Sequence, residues 1–440
     1  RVVERSRGLG DVYKRQLLDS VGRRFPELAL ENPPVTKDAF PTSYGRGKSC
    51  DDDLLAGLGM FYLTQSGKLM LDCVSGHYQM IWGYNHPELV AAATEGMRLG
   101  IIWDNHANIP ATPVKLLASG LTALTEGIGL DRVLLGVCTG TIACEAALKI
   151  MLMRYQRDKA RVEDAPPVVI ALASNYHGTS MATQALRGMW PDLVAGMAPA
   201  LVEPNDPDEL RKTFERFGTR VAGFWAEPIM MNREAIELDP EYLQLARQLC
   251  DETDALMVID EIQTCFWYPD VLYSLRIGLA PDMIVVGKGM TAGFHPLAGL
   301  LYRSELDILE QYDAISTNGN ASLAALVALS NMALIRRERE RIERVSRRLE
   351  GGFRRIAADF PDVIESANGK GLLAGLKLRD REDALSFHKA LVERGLWLRV
   401  HAYHEGHRTI LTKCPLVVTE AIVDWLLQAL RDTLSKKDWR

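Results

Sequence analysis

Ala255–Gly293 reads ALMVIDEIQTCFWYPDVLYSLRIGLAPDMIVVGKGMTAG. Two short apolar, β-prone runs lie in it. Leu256–Ile259 stops at Asp260-Glu261, and Met283–Val286 stops at Gly287-Lys288-Gly289. Runs of this kind, continuous in apolar residues and ended by a charge or a glycine, are the pattern of buried parallel strands. In open α/β sheets the chemistry gathers at the carboxyl ends of such strands. The stretch therefore predicts two strand ends that bring a carboxylate, Asp260, and an amine, Lys288, to one cleft.

An amine and a carboxylate in one crevice suit pyridoxal phosphate, which needs a lysine to form a Schiff base and an acid facing its ring nitrogen. Val-Val-Gly-Lys-Gly is not a P-loop, because Asp282 stands where a glycine is required and Gly289 where Ser or Thr is required. Other strand ends complete the picture. Val133–Val137 leads through Cys138-Thr139-Gly140-Thr141 into a helix over 142–154, and such a turn suits an anion, since the first helical amides are unpaired. Val168–Leu172 ends in Ser174-Asn175-Tyr176-His177-Gly178, and Val221–Ala226 ends in Glu227-Pro228.

Asp260-Glu261-Ile262-Gln263-Thr264, with Pro281-Asp282 upstream of Gly287-Lys288, resembles the class III aminotransferases of pyridoxal phosphate fold type I. The resemblance runs from about Gly59 to Leu430. It implies an α/β fold: a large domain with a mostly parallel central sheet flanked by helices, and a smaller α+β domain built from both chain ends. It implies that Lys288 forms the Schiff base, that Asp260 faces the ring nitrogen and that Gln263 bonds the ring hydroxyl oxygen. Tyr176, followed by His177, stacks on the ring, while Thr139, Gly140 and Thr141 hold the phosphate. Glu227 stands at the family's Glu-Pro, which implies a place both among the cofactor-binding residues and in the substrate pocket. Ser316-Thr317 implies a homodimer in which Thr317 reaches the partner's phosphate. Tyr78 and Trp82, in the 77–82 loop, line the substrate pocket. The chain also departs from the family, with Tyr84 for a histidine, Ile142 for an acid, Asn320 for a glycine and Cys265-Phe266-Trp267-Tyr268 for Gly-Phe-Gly-Arg.

Composition narrows the function. A chain of 440 residues, 47% hydrophobic, buries a sizeable core and splits into lobes. A net charge of −6 supplies no basic excess to neutralise phosphates, which argues against a nucleic-acid binder. No run reaches membrane-spanning length. Seven cysteines without CxxC pairs or metal spacing read as reduced thiols of a cytoplasmic protein. The division expected is 1–16, 17–74 as the N-terminal part of the small domain, 75–325 as the cofactor domain and 326–440 as the C-terminal small domain. Residues 1–16 read as a sequencing or cloning scar around Asp11-Val12-Tyr13-Lys14-Arg15-Gln16. Phe40–Leu58 reads as loop, Leu323–Ser346 as one long helix, and Trp397–Val400 as a strand.

Function is then an amino-group transfer of ping-pong type, with a primary amine or ω-amino acid as donor and a keto acid such as pyruvate as acceptor. An aminomutase, a dialkyl amino acid decarboxylase or an α/ω-amino acid:2-oxoglutarate aminotransferase would carry the same motifs. A nicotinamide dehydrogenase is disfavoured by the lack of G-x-G-x-x-G, and a non-catalytic relative by the presence of both Lys288 and Asp260. Family members that grip an α-carboxylate do so with an arginine before Pro-Pro-Leu. Register on Pro415-Leu416 puts Leu411 there, with Arg408 and Lys413 as the nearby cations. Tyr78, Trp82, Trp225 and Trp267 are expected to make the pocket aromatic.

Overall fold

The computed structural model describes residues 16–30, 52–101, 111–159, 166–189, 197–401, 407–436 and 439. Residues 1–15 and 40–51, which carry most of the N-terminal scar and much of the expected loop, lie outside that set. The chain divides into two units. The larger holds Tyr78–Ile81 and Pro87–Glu343; the smaller holds the rest of both chain ends, with its C-terminal part starting at Arg344.

In the larger unit a seven-stranded sheet runs in the order Arg132–Val137, Ala298–Tyr302, Met283–Val286, Leu256–Asp260, Val221–Ala226, Val168–Leu172, Ala198–Val202. Only Ala298–Tyr302 is antiparallel to its neighbours. Five of the strands end in the motifs that the sequence singles out. Val168–Leu172, Val221–Ala226, Leu256–Asp260 and Met283–Val286 are buried at every residue, the physical counterpart of their unbroken apolar runs. Alternate residues face opposite ways. Val169, Ala171, Trp225 and Val258 pack on the helix Gly140–Asp158. Ile170, Leu172, Phe224, Met257 and Ile259 pack on Phe214, Tyr242, Leu243 and Ala246 of the helices Pro207–Phe217 and Pro240–Thr253. Asp206 caps the first of these through the Glu209 amide, and a proline opens each.

The smaller unit carries two four-stranded sheets. One joins Leu54–Leu58, Phe61–Thr64 and Leu69–Asp72 to Leu396–Trp397; the other runs Ile364–Lys370, Leu373–Leu378, Thr409–Lys413, Arg399–His401. Both chain ends thus build the first sheet.

Three expectations need correction. Leu54–Leu58 is a strand, an edge partner of Phe61–Thr64, although its polar approach reads as loop. The long helix is two, Ser322–Arg337 and Arg339–Asp359. The chain leaves helical geometry at Glu338, whose carboxylate takes Arg337 Nε at 3.2 Å and Arg341 Nε at 2.9 Å. Trp397–Val400 breaks at Leu398, so that Leu396–Trp397 and Arg399–His401 serve different sheets. Among the described residues no helix is long and apolar enough to cross a membrane, and the six described cysteines are free thiols.

Candidate active site

Parallel register sets the first contacts. Ala226 pairs with Ile259 and Asp260 with Val285, so Glu227, Asp260 and the Gly287-Lys288 turn leave adjacent strands side by side. Small residues let the loops close on one another. A Cβ on Gly140 would lie 2.4 Å from Ile262 Cδ1, and Gly287 lies against both Ile262 and Gly140. Gly178 has φ +122, and a Cβ there would meet Thr141 Oγ1 at 2.3 Å. The anion turn, the Tyr-His-Gly loop, the Asp-Glu-Ile-Gln-Thr segment and the lysine turn therefore abut.

Asp260 is 3% exposed and receives three donors. The Ile262 amide donates to Oδ1 at 2.9 Å, His177 Nδ1 lies 2.8 Å from Oδ2, and the Cys144 thiol donates to the same oxygen at 3.5 Å. Because an ionised carboxylate only accepts, the His177 proton belongs on Nδ1. Glu227, equally buried, takes the Tyr176 amide at 2.8 Å and Gln263 Nε2 at 3.5 Å. Burial, with the Asp260 charge adding to it, pushes the Glu227 carboxyl up to about 7, against opposing pulls from His177, the Tyr176 amide and Lys288. Burial lowers the Lys288 amine, and the Asp260 and Glu227 charges resist that shift. Glu261 points away from this group and holds the next loop through the Tyr273 and Ser274 amides at 2.5 and 2.7 Å.

The remaining candidates fall as follows. Thr139 precedes the helix Gly140–Asp158, and its side chain caps no amide. Thr317 is exposed on a loop tied to the end of the Arg132–Val137 strand, with the Ser316 amide on Gly136 O and the Asn320 amide on Leu135 O. Asn320 has φ 55, a conformation that asparagine tolerates, which accounts for its replacing a glycine. Tyr78 is buried in the same stretch as Met80 and Ile81, which meet the lysine turn at Gly293 and Gly289. Ser75, Gly76, His77 and Tyr78 all have φ between 52 and 72. The Asp72 carboxylate holds this left-handed turn through the Val74 and Gly76 amides, each at 2.7 Å. Trp82 and Trp267 are each 1% exposed, and Trp225 is fully enclosed against the His177 ring. Trp225 thus belongs to the core behind the site, a correction to the expected aromatic pocket, because an inward position on a central strand faces the helix layer.

Sequence reading missed Cys144, whose thiol donates to Asp260 Oδ2. It is one helical turn past Gly140, a spacing that puts both on one face of the helix.

Pyridoxal phosphate presents a phosphate, a ring nitrogen, a ring hydroxyl and an aldehyde. The residues present fit it. Uncapped amides open a helix beside two glycines that a side chain would fill. Asp260 has donors on both oxygens, yet Oδ1 holds only one. Among the described residues, nothing hydrogen-bonds the buried Gln263 Oε1 and His177 Nε2. Lys288 supplies a desolvated amine.

A model of the aminotransferase class III family matches residues 53–434. The ornithine aminotransferase of Emericella nidulans is 27% identical over 84% of this chain and 83% of its own length. The acetylornithine aminotransferase of Thermosynechococcus vestitus is 28% identical over 93% and 99%. A transaminase from the marine bacterium Virgibacillus has the same fold, with a TM-score of 0.78 at 22% identity over 88% of this chain and 93% of that one. With its family match running from the first described strand to the last helix, the chain belongs to the class III aminotransferases, pyridoxal phosphate-dependent enzymes of fold type I.

Proposed function

We propose that this aminotransferase moves an amino group from a primary amine or ω-amino acid to a keto acid such as pyruvate, by a ping-pong sequence carried on Lys288. Leu411 carries the reading. It is fully buried in the strand Thr409–Lys413, at the position that the resemblance gives to a carboxylate-gripping arginine. Of the cations nearby, Arg408 pairs with Glu365 at 2.5 Å, and Lys413 is fully buried in the same strand as Leu411. An α-carboxylate entering a partly apolar pocket unpaired would cost several kcal/mol at full burial.

Pyridoxal phosphate, when bound, supplies an aldehyde that accepts amines and a ring that withdraws electrons. The chain's own groups do the rest. Lys288 Nζ, held toward its neutral form by burial, takes a proton from the reacting carbon and then returns it as the amino group is transferred. Asp260, aligned by His177, Cys144 and the Ile262 amide, keeps the ring nitrogen protonated. Glu227 orients Tyr176 against the ring and Gln263 toward the ring oxygen. Thr139, Gly140 and Thr141 hold the phosphate with Thr317 of a second copy, in a cytoplasmic homodimer.

The acceptor still brings a carboxylate. Arg399 is the direct antiparallel partner of Leu411, so their side chains leave the same face of the sheet about 5 Å apart. Its Nη1 lies 3.3 Å from His77 Nδ1, in the loop assigned to substrate. We assign the keto-acid carboxylate to Arg399. A second reading, supported by the ornithine-type relatives, has Arg399 grip the α-carboxylate of an amino acid donor.

A half-reaction screen tests both. An aryl or alkyl amine, ornithine and 4-aminobutyrate are mixed singly with the wild type and with Arg399→Leu, loss of the cofactor band is followed, and its return on adding pyruvate is then timed. Preference for the simple amine, with Arg399→Leu impaired only toward pyruvate, supports the first reading. Preference for amino acids that vanishes in Arg399→Leu supports the second. Amino acid preference untouched by Arg399→Leu overturns the role given to Arg399 and the register on Pro415.

A further inference from the structure

The turn that carries Lys288 is held by a residue outside every motif. Lys288–Thr291 is a short 3-10 turn, and Lys288 itself has φ 38, in the left-handed region that a lysine seldom occupies. Such a conformation persists only where its surroundings hold it. The turn bonds itself through the Met290 amide to Gly287 O and the Ala292 amide to Gly289 O, each at 3.0 Å. The helix Ser322–Arg337 adds the outside hold. Its Asn331 side chain is fully buried, and both protons of Nδ2 are donated to this turn, to Gly289 O and to Met290 O, each at 2.9 Å.

The platform is rigid. Around Asn331 the buried side of the helix is Leu323, Ala324, Ala325, Val327, Ala328, Leu334 and Ile335, and the helix packs against Pro87–Arg98 and Thr112–Thr125. An amide buried on so apolar a face is costly unless satisfied. Here its donors go to the two carbonyls directly after the lysine. We infer that Asn331 is the positioning residue for Lys288: it fixes the left-handed backbone from which Nζ reaches the reacting carbon. The inference rests on reading Lys288 as the cofactor-bearing lysine.

Asn331→Leu keeps the branched shape and removes both donors. Wild type and variant are loaded with pyridoxal phosphate, reduced with borohydride and mapped by peptide. The expected result is that the variant still binds cofactor, while the share trapped on Lys288 falls several-fold and the pH midpoint of the cofactor band shifts. The expected fall in kcat is about ten- to a hundred-fold, with the KM for the amine nearly unchanged. Asn331→Ser, which retains one donor, should fall between the two and serves if the leucine variant does not fold. A lowered melting temperature with the trapped share, the band midpoint and kcat per bound cofactor all unchanged would show that Asn331 only fills the core, and would overturn the inference. Trapping on another lysine in the wild type would instead overturn the site reading on which it rests.

Discussion

Glu227 is a carboxyl that the fold holds near neutrality. An exposed glutamate ionises near 4.5, whereas burial raises this one to about 7. Below pH 4.5 both folded and unfolded chains carry the proton, and the native state loses nothing. Between 4.5 and 7 the unfolded chain ionises first, so stability falls as pH rises, and above 7 the loss is complete. Two and a half pH units correspond to roughly 3 kcal/mol. Glu227→Gln keeps an acceptor for the Tyr176 amide but has no charge to bury. In cofactor-free protein, the melting temperature of this variant should match the wild type at pH 5 and exceed it by a few degrees at pH 8. An equal gap at both pH values would mean that Glu227 is ionised throughout.

The strand ends were readable because buried parallel strands announce themselves as unbroken apolar runs. Leu256–Asp260 and Met283–Val286 are examples, and the residues that interrupt such runs are those the site uses. The edge strand Leu54–Leu58 was not readable, since four of its five residues, Leu54, Leu55, Ala56 and Leu58, are exposed and no core face disciplines its pattern. The break at Glu338 was equally hidden, because the two helices meet there without Gly or Pro. The bonds from Asn331 to the lysine turn and the pairing of Arg399 with Leu411 run across elements, which a linear reading does not carry. The packing of one loop on another is also invisible in sequence, and Gly178 is its sharpest case. At φ +122, alanine there would be strained and would strike Thr141 of the anion turn. Gly178→Ala should cost about 1–3 kcal/mol of stability and weaken phosphate retention as well. Thermal melts and a titration with pyridoxal phosphate would check this, and an unshifted dissociation constant would separate the two loops.

At the scale of the molecule, the open matter is whether one chain makes one site. The larger unit supplies Lys288, Asp260, Tyr176, Glu227 and Gln263 from a single sheet, whereas Thr317 sits exposed at a loop tip. The loop is anchored at its base, with the Ser316 and Asn320 amides on the carbonyls of Gly136 and Leu135 at 2.8 and 2.9 Å. An exposed hydroxyl on a firmly rooted loop is suited to reach another chain. If Thr317 serves the partner's phosphate, mixing two crippled variants restores activity. In a dimer of Lys288→Ala with Thr317→Ala, the site holding the intact lysine receives the intact threonine from its neighbour, and one of two sites is whole. Were Thr317 to serve its own chain, every mixed dimer would lack either a lysine or a threonine at each site. The two variants should therefore be inactive or weak alone at low cofactor. Unfolded and refolded together, they should recover about a quarter of wild-type activity, since half the dimers are mixed and half their sites complete. Recovery no greater than the mean of the separate variants would place Thr317 in its own subunit's site.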